Sequence, residues 1–232
     1  MSQYKSLFFD VDDTLLDFGA AEDLALNLLF EDQNLPLTTE IESYYKKMNK
    51  GLWNDFENGK IARDELVNTR FSKLFKAFGK EVDGVAMERN YRRFLREGHQ
   101  LVHGAYPLID ALSNKFDLYI VTNGVAETQR KRLHDAGLAP YFRDVFVSED
   151  TGYHKPDKEF FDYVFARVPH FEKRESLIIG DSLISDIHGG NQAGLDTCWF
   201  NAGNKINKLN EQPTYEIHQL KQLYSILNVA VK

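Results

Sequence analysis

The sequence predicts an α/β fold, a parallel sheet flanked by helices with a mostly helical cap inserted after the first strand. Three observations predict it. From Gly104 onward, short apolar runs alternate with stretches of helical periodicity, the pattern of strand–helix–strand units. Between Gly19 and Gln100 nothing resembles a strand, and apolar residues recur at helical spacing. Finally, apolar runs stop abruptly at Asp10, Thr122 and Asp181, as strands do where their carboxyl ends open onto a ligand crevice. The division that follows is an α/β core, residues 1–18 and 100–232, and a helical cap, residues 19–99.

Taken in order, Tyr4 to Asp10 reads as a short buried strand. The cap shows Leu24, Leu28 and Leu29, then Tyr45, Met48 and Leu52, then Leu66, Phe71, Leu74 and Phe78, then Val85, Tyr91, Phe94 and Leu95. Breaks are expected near Leu35-Pro36, Asn58-Gly59 and Gly79, where helix-breaking residues fall. Beyond the cap, helices are expected over 108–115, 127–136, 158–167 and 184–193, and strands over 118–122, 145–148, 177–181 and 197–200.

Bulk composition excludes several classes of function. With 28 basic and 35 acidic residues the net charge is −7, which disfavours a nucleic-acid polymer, since those are bound through basic surfaces. A small anion remains bindable where a metal or a few local cations supply positive charge. One cysteine, Cys198, permits no intrachain disulfide and reads as a small buried hydrophobe. The apolar run Leu7-Phe8-Phe9 meets Asp10 before a signal-peptide core can form, and no stretch is long enough to span a membrane. The expected location is therefore the cytoplasm, with no membrane partner.

The chemistry gathers at the expected strand ends. Asp10, Asp181 and Asp186 would repel one another without a cation, and hard oxygen ligands suit Mg²⁺, with Mn²⁺ as a substitute. A carboxylate at Asp10 can attack phosphorus, and Asp12, two residues on, can move a proton to and from the reacting oxygens. Thr122 and the backbone N–H groups of Asn123 and Gly124 can hold phosphoryl oxygens near a helix N-terminus. Lys155, in a loop punctuated by Gly152 and Pro156, is expected to offset charge at the reaction centre and to matter little for folding.

Asp10-Val11-Asp12-Asp13-Thr14-Leu15, Thr122-Asn123-Gly124, Lys155-Pro156 and Gly180-Asp181-Ser182-Leu183-Ile184-Ser185-Asp186 together resemble the four motifs of the haloacid dehalogenase superfamily. The resemblance implies a Rossmann-like core. It further implies Asp10 as nucleophile, Asp12 as acid/base, and Mg²⁺ on Asp10, the Asp12 carbonyl and Asp181, with Asp186 supporting the metal shell. Asn49-Lys50-Gly51-Leu52-Trp53, Asn58-Gly59 and Thr197-Cys198-Trp199-Phe200-Asn201 are similar to the pyrimidine 5′-nucleotidases of the YjjG/YfnB type. That group implies a nucleoside monophosphate as the small phosphorylated substrate. His154, before Lys155, departs from the pattern, where a small or apolar residue is expected.

Within the cap, Asn49, Trp53 and Phe56 stand at i, i+4 and i+7 and share one helix face. The expectation is that the two rings stack on a base while the amide reads its edge. Other readings stay open at this point: a phosphatase or phosphomutase for a sugar phosphate or another small metabolite, and a phospho-aspartate signalling module. A dehalogenase proper would lack Asp12, and no P-loop motif is present.

Overall fold

A computed structural model describes residues 2–230. Two compact units form, one of Met1–Phe18 with His99–Lys232 and one of Gly19–Gly98.

In the first unit, six parallel strands among the described residues make one sheet in the order β3-β2-β1-β4-β5-β6: β1 (Ser6–Phe9), β2 (Asp117–Thr122), β3 (Asp144–Val147), β4 (Ser176–Gly180), β5 (Asp196–Phe200) and β6 (Tyr215–Ile217). The chain runs outward from β1 through β2 to β3, then returns to β4 on the other side of β1. The order therefore reverses between β1 and β4, the position at which such sheets bind ligands. Apolar residues on both faces explain why the strands read as continuous hydrophobic runs. Leu7, Phe9, Ile120, Leu177 and Ile179 face one core cluster, while Phe8, Tyr119, Val121 and Ile178 face the other. Each such side chain, fully buried, stabilises the fold by roughly 1.5–3 kcal/mol.

Four helices make the second unit: α1 (Phe18–Asp32), α2 (Thr39–Glu57), α3 (Arg63–Ala77) and α4 (Gly84–Leu95). Thr38 caps α2 by accepting from the Ile41 N–H at 3.3 Å, and Asp83 caps α4 by accepting from Val85 and Ala86 at 3.0 Å. Gly59 takes a left-handed conformation (φ 68°) just past α2, where a side chain would be strained. Inside, Phe71 stacks on Tyr45 at 5.3 Å and lies 5.2 Å from Tyr91. A buried polar chain then takes one residue from each helix. Asn49 donates to Glu22 at 2.7 Å, Arg70 donates to Asn49 at 3.1 Å, and Arg70 grips Glu88 with two bonds of 2.7 and 2.8 Å. The Arg70 guanidinium also lies 4.6 Å from the centre of the Tyr91 ring.

The core helices that follow are α5 (Ala105–Ser113), α6 (Ala126–Asp135), α7 (Ser148–Thr151), α8 (Lys158–Phe165), α9 (Gly189–Ala193) and α10 (Leu223–Ile226). Three details depart from the sequence reading. Helix α5 starts three residues before Leu108, because Pro107 sits in the first turn, where its missing N–H is harmless. A π-helical turn, Leu183–His188, precedes α9 where an ordinary helix is expected from Ile184. Strand β6 was not anticipated, being only Tyr215–Ile217 behind Pro213. No helix among the described residues is long and apolar enough to cross a membrane.

The polar chain of the helical unit makes its stability depend on pH. Burial pushes the Glu22 carboxyl up to about 7, although the Asn49 bond, Arg70 and Lys46 oppose the shift. A carboxyl that holds its proton more tightly folded than unfolded stabilises most below the unfolded pKa and loses that contribution as pH rises to about 7. Glu22→Gln keeps the acceptor for Asn49 and removes the titration. Between pH 4.5 and 7 the variant is expected to gain on the parent by up to about 3 kcal/mol, measured by urea unfolding across that range. Parallel stability curves would refute it.

Candidate active site

Residue Phe9 of β1 lies opposite Ile120 of β2 and Ile179 of β4. That register sets Asp10 level with Val121 and Gly180, so Thr122 and Asp181 follow one residue further along the carboxyl edge. The Asp10 N–H donates to the Ile179 carbonyl at 2.9 Å, so the strand is held one residue past its end.

Asp10 is buried and does not stand alone. Lys155 reaches in from its loop and donates to Asp10 Oδ1 at 2.8 Å, to Asp186 Oδ1 at 2.6 Å and to the Val121 carbonyl at 2.7 Å. All three ammonium protons thus have acceptors. The Asn123 side chain clamps the backbone of this lysine, accepting from Lys155 N–H at 2.9 Å and donating to its carbonyl at 2.8 Å. Asp186 is itself fixed, since its Oδ2 accepts from the Ser182 N–H at 3.0 Å. Only a glycine fits at position 180, because a Cβ there would lie 2.2 Å from the Asp186 carboxyl.

Burial raises the Asp10 pKa well above the usual carboxylate range; Lys155 opposes this, and Asp186, Asp12 and Asp181 reinforce it. Burial alone would lower the Lys155 pKa, but Asp10 and Asp186 more than reverse that and keep the ammonium charged. Asp181 is pushed up to about 7, first by burial, with Lys205 opposing and Asp186 and Asp13 adding. Lys205 donates to Asp181 Oδ2 at 2.8 Å. A second asparagine clamp holds it: Asn201 Oδ1 accepts from Lys205 N–H at 2.6 Å and Asn201 Nδ2 donates to the Lys205 carbonyl at 3.0 Å. The Trp199 indole N–H meanwhile donates to the Asp181 carbonyl at 2.9 Å. Asp10, Asp181 and Asp186 offer carboxylate oxygens within 4.8 Å of one another. Hard oxygen donors with an excess of negative charge fit a cation such as Mg²⁺.

Asp12 lies at the side of this group, and α6 holds both of its oxygens. Arg132 donates to Oδ1 at 2.5 Å and Gln129 donates to Oδ2 at 2.8 Å. Gln129 also donates to Thr122 Oγ1 at 3.0 Å, and the Gly124 N–H donates to the same oxygen at 3.2 Å. The Thr122 hydroxyl oxygen thus accepts two bonds.

Several sequence expectations need correction. The Gly124 N–H is engaged by Thr122, and the first N–H of α6, at Ala126, is capped by the Glu149 carboxylate at 2.8 Å. One N–H at the start of α6 is thereby occupied by a side chain. Asn123 acts through its side chain, on Lys155. Lys155 is 1% exposed and bonded to Asp10 and Asp186, which gives it a part in the fold that its loop position did not suggest. Asn49 is buried with its amide engaged by Glu22 and Arg70, and Phe56 is buried against Leu66 and Val67, so neither can meet a base. Trp53, edge-on to Phe56 at 5.7 Å, is half-buried and keeps an exposed part. His154 lies 2.8 Å from Asp157 in its own loop.

Sequence reasoning missed Gln129, Arg132, Asn201 and Lys205 as parts of the site. A signal existed for the first two: Gln129 and Arg132 stand at i, i+3 on one face of the helix that follows Thr122.

Residues 4–194 match the model of the haloacid dehalogenase-like hydrolase family, and with this sheet order and these strand-end acids the chain belongs to that family. It is an enzyme of the hydrolase class. The HAD-hydrolase YfnB of Bacillus subtilis (strain 168) is 61% identical over 99% of this chain and 97% of its own length. Its crystal structure, described as bound to magnesium and as revealing interdomain movement, aligns with a TM-score of 0.95 at 62% identity over 97% of this chain and 99% of that one. Pyrimidine 5′-nucleotidase PynA of Streptococcus pneumoniae (strain ATCC BAA-255 / R6) is 45% identical over 97% of this chain and 95% of its own. Pyrimidine 5′-nucleotidase YjjG of Escherichia coli (strain K12) is 32% identical over 95% and 96%. Family membership sets aside the signalling-module reading.

The burial of Lys155 carries a stability consequence. Lys155→Met leaves Asp10 and Asp186 facing each other without their shared cation. Removing one partner of a buried ion pair typically destabilises by about 3–5 kcal/mol, and a loss of that order is expected in urea unfolding at neutral pH with chelator present. An unchanged midpoint would show the lysine to be dispensable for the fold.

Proposed function

We propose that this chain is a Mg²⁺-dependent phosphomonoester hydrolase acting through an aspartyl phosphate on Asp10, with nucleoside 5′-monophosphates, pyrimidine ones preferred, as substrates. The observation that carries the reaction type is the buried Asp10 carboxylate held by Lys155 beside Asp181 and Asp186. The substrate class rests on the named activities of PynA and YjjG.

Asp10 attacks phosphorus as the bond to the leaving oxygen breaks, and the Asp12 carboxyl gives that oxygen a proton. Asp12, now a carboxylate, takes a proton from water as the water oxygen attacks phosphorus. Asp10 is released with inorganic phosphate. Lys155 offsets charge on the nucleophile and the transferring group, while the Thr122 hydroxyl and the Asn123 N–H hold phosphoryl oxygens. Asp10, the Asp12 carbonyl and Asp181, with Asp186 supporting them, would hold Mg²⁺, which would supply positive charge for a phosphate dianion at a carboxylate cluster. The core residues named here act on the phosphate and the breaking bond and do not select the leaving group; the half-buried Trp53 is the candidate for base recognition.

The test is phosphate release from a panel of nucleoside monophosphates and sugar phosphates, with and without Mg²⁺. Pyrimidine nucleoside monophosphates are expected to lead, chelation to abolish turnover, and Asp10→Asn to lower kcat by on the order of 10⁴-fold or more. Substantial Mg²⁺-dependent turnover by Asp10→Asn would remove the nucleophile assignment. A preference for sugar phosphates would remove the substrate assignment.

A further inference from the structure

We propose that Gln129 and Arg132 of α6 form a cradle that positions the Asp12 carboxyl for proton transfer to the leaving oxygen. The proposal rests on the acid/base reading of Asp12 given above.

Arg132 is entirely buried and Asp12 is about one-third exposed, with side-chain exposures of 1% and 31%. A guanidinium taken out of water requires a partner, and Arg132 donates to Asp12 at 2.5 Å. The same Arg132 nitrogen donates to Gln129 Oε1 at 2.9 Å. That bond orients the Gln129 amide, so its nitrogen faces both Asp12 Oδ2 and Thr122 Oγ1. The chain of contacts runs from Arg132 through Gln129 to Asp12 and to the phosphate-facing Thr122. One bonded unit thus sets the proton-transfer group relative to a group expected to hold the phosphoryl oxygens.

Two further facts mark this as a built arrangement. Gln129 lies directly over Gly124, where a Cβ would stand 2.6 Å from its side-chain carbons. The glycine after Asn123 is thereby explained by the passage of the amide, its own N–H being engaged by Thr122. Each Asp12 oxygen accepts one bond from α6. A carboxylate has about four lone-pair sites, so the exposed side keeps capacity for the proton that is delivered.

The cradle acts through Asp12, so its loss should appear where Asp12 matters. A nucleoside 5′-oxygen leaves as a strongly basic alkoxide and needs a proton in the transition state. p-Nitrophenolate is a stable anion and departs without one. The quantity to compare is kcat/KM, which reports the step in which the leaving group departs.

In the presence of Mg²⁺, Arg132→Met is expected to lower kcat/KM for a pyrimidine nucleoside monophosphate by on the order of 10²-fold, the lower range for a positioned acid, and for p-nitrophenyl phosphate at least tenfold less. Arg132→Lys, which keeps the charge, is expected to recover part of the loss. Gln129→Met should show the same selectivity at smaller size, and it carries the test if Arg132→Met does not fold. With Asp12→Asn already in place, adding either change should cost little more on the nucleotide, because groups acting as a unit are not additive. Equal losses on both substrates, or losses that add fully to those of Asp12→Asn, would overturn the cradle and leave a structural ion pair. Should Asp12→Asn itself lack the leaving-group preference, the acid/base assignment falls first, a result distinguishable from failure of the cradle alone.

Discussion

Placing acidic side chains together at the edge of a dry sheet is the constraint that organises this molecule. Asp10 follows a central strand with apolar neighbours on both sides, and Asp186 packs beneath a glycine. Burial favours the protonated form of Asp10 there, and the neighbouring acids add to that. The Lys155 ammonium opposes this by donating to both acids, and its third N–H donates to a backbone carbonyl of the neighbouring strand. The positions of Gly180, Asn123 and the loop that carries Lys155 follow from that requirement. The site is a part of the core in which a buried ammonium offsets some, not all, of the acidic charge.

The same device appears twice. Asn123 brackets the backbone of Lys155, and Asn201 brackets the backbone of Lys205; each lysine then meets an acid. An amide is well suited to this, since one side chain offers a donor and an acceptor and can satisfy both main-chain groups of a single residue. A loop lysine is ordinarily rich in rotamers, and pinning its main chain reduces what must be ordered to aim the charge. The two asparagines lie in motifs that looked like phosphate-binding and substrate-class signatures when read along the chain. In the folded protein they hold cations in place.

Much of this was legible in advance, and the misses share a cause. Five of the strands, the helical insertion with its breaks, and the gathering of Asp10, Thr122, Lys155, Asp181 and Asp186 follow from local signals: short apolar runs, helix-breaking residues and acids at strand ends. What escaped depends on pairs distant in sequence. Nothing near Lys155 shows that Asn123, 32 residues earlier, binds it. Nor does the helical wheel containing Asn49 show that Glu22 and Arg70 from other helices engage its amide. An i, i+4, i+7 stripe is equally the signature of a contact face and of a packed one, and here Asn49 and Phe56 pack. Strand β6 was missed for want of length, and the π-turn because hydrophobic periodicity does not distinguish it from an ordinary helical turn.

The placement of the two tryptophans has a practical consequence. Trp199 is buried in the sheet with its indole N–H on the carbonyl of Asp181, and Trp53 is half-exposed in the helical unit. The chain has two tryptophans, one in each compact unit. Replacing one by phenylalanine would leave a protein whose tryptophan emission comes from one unit alone. Trp199 would then sense, without any attached dye, electrostatic changes at the acidic loop, while Trp53 would sense changes in solvation of the helical face.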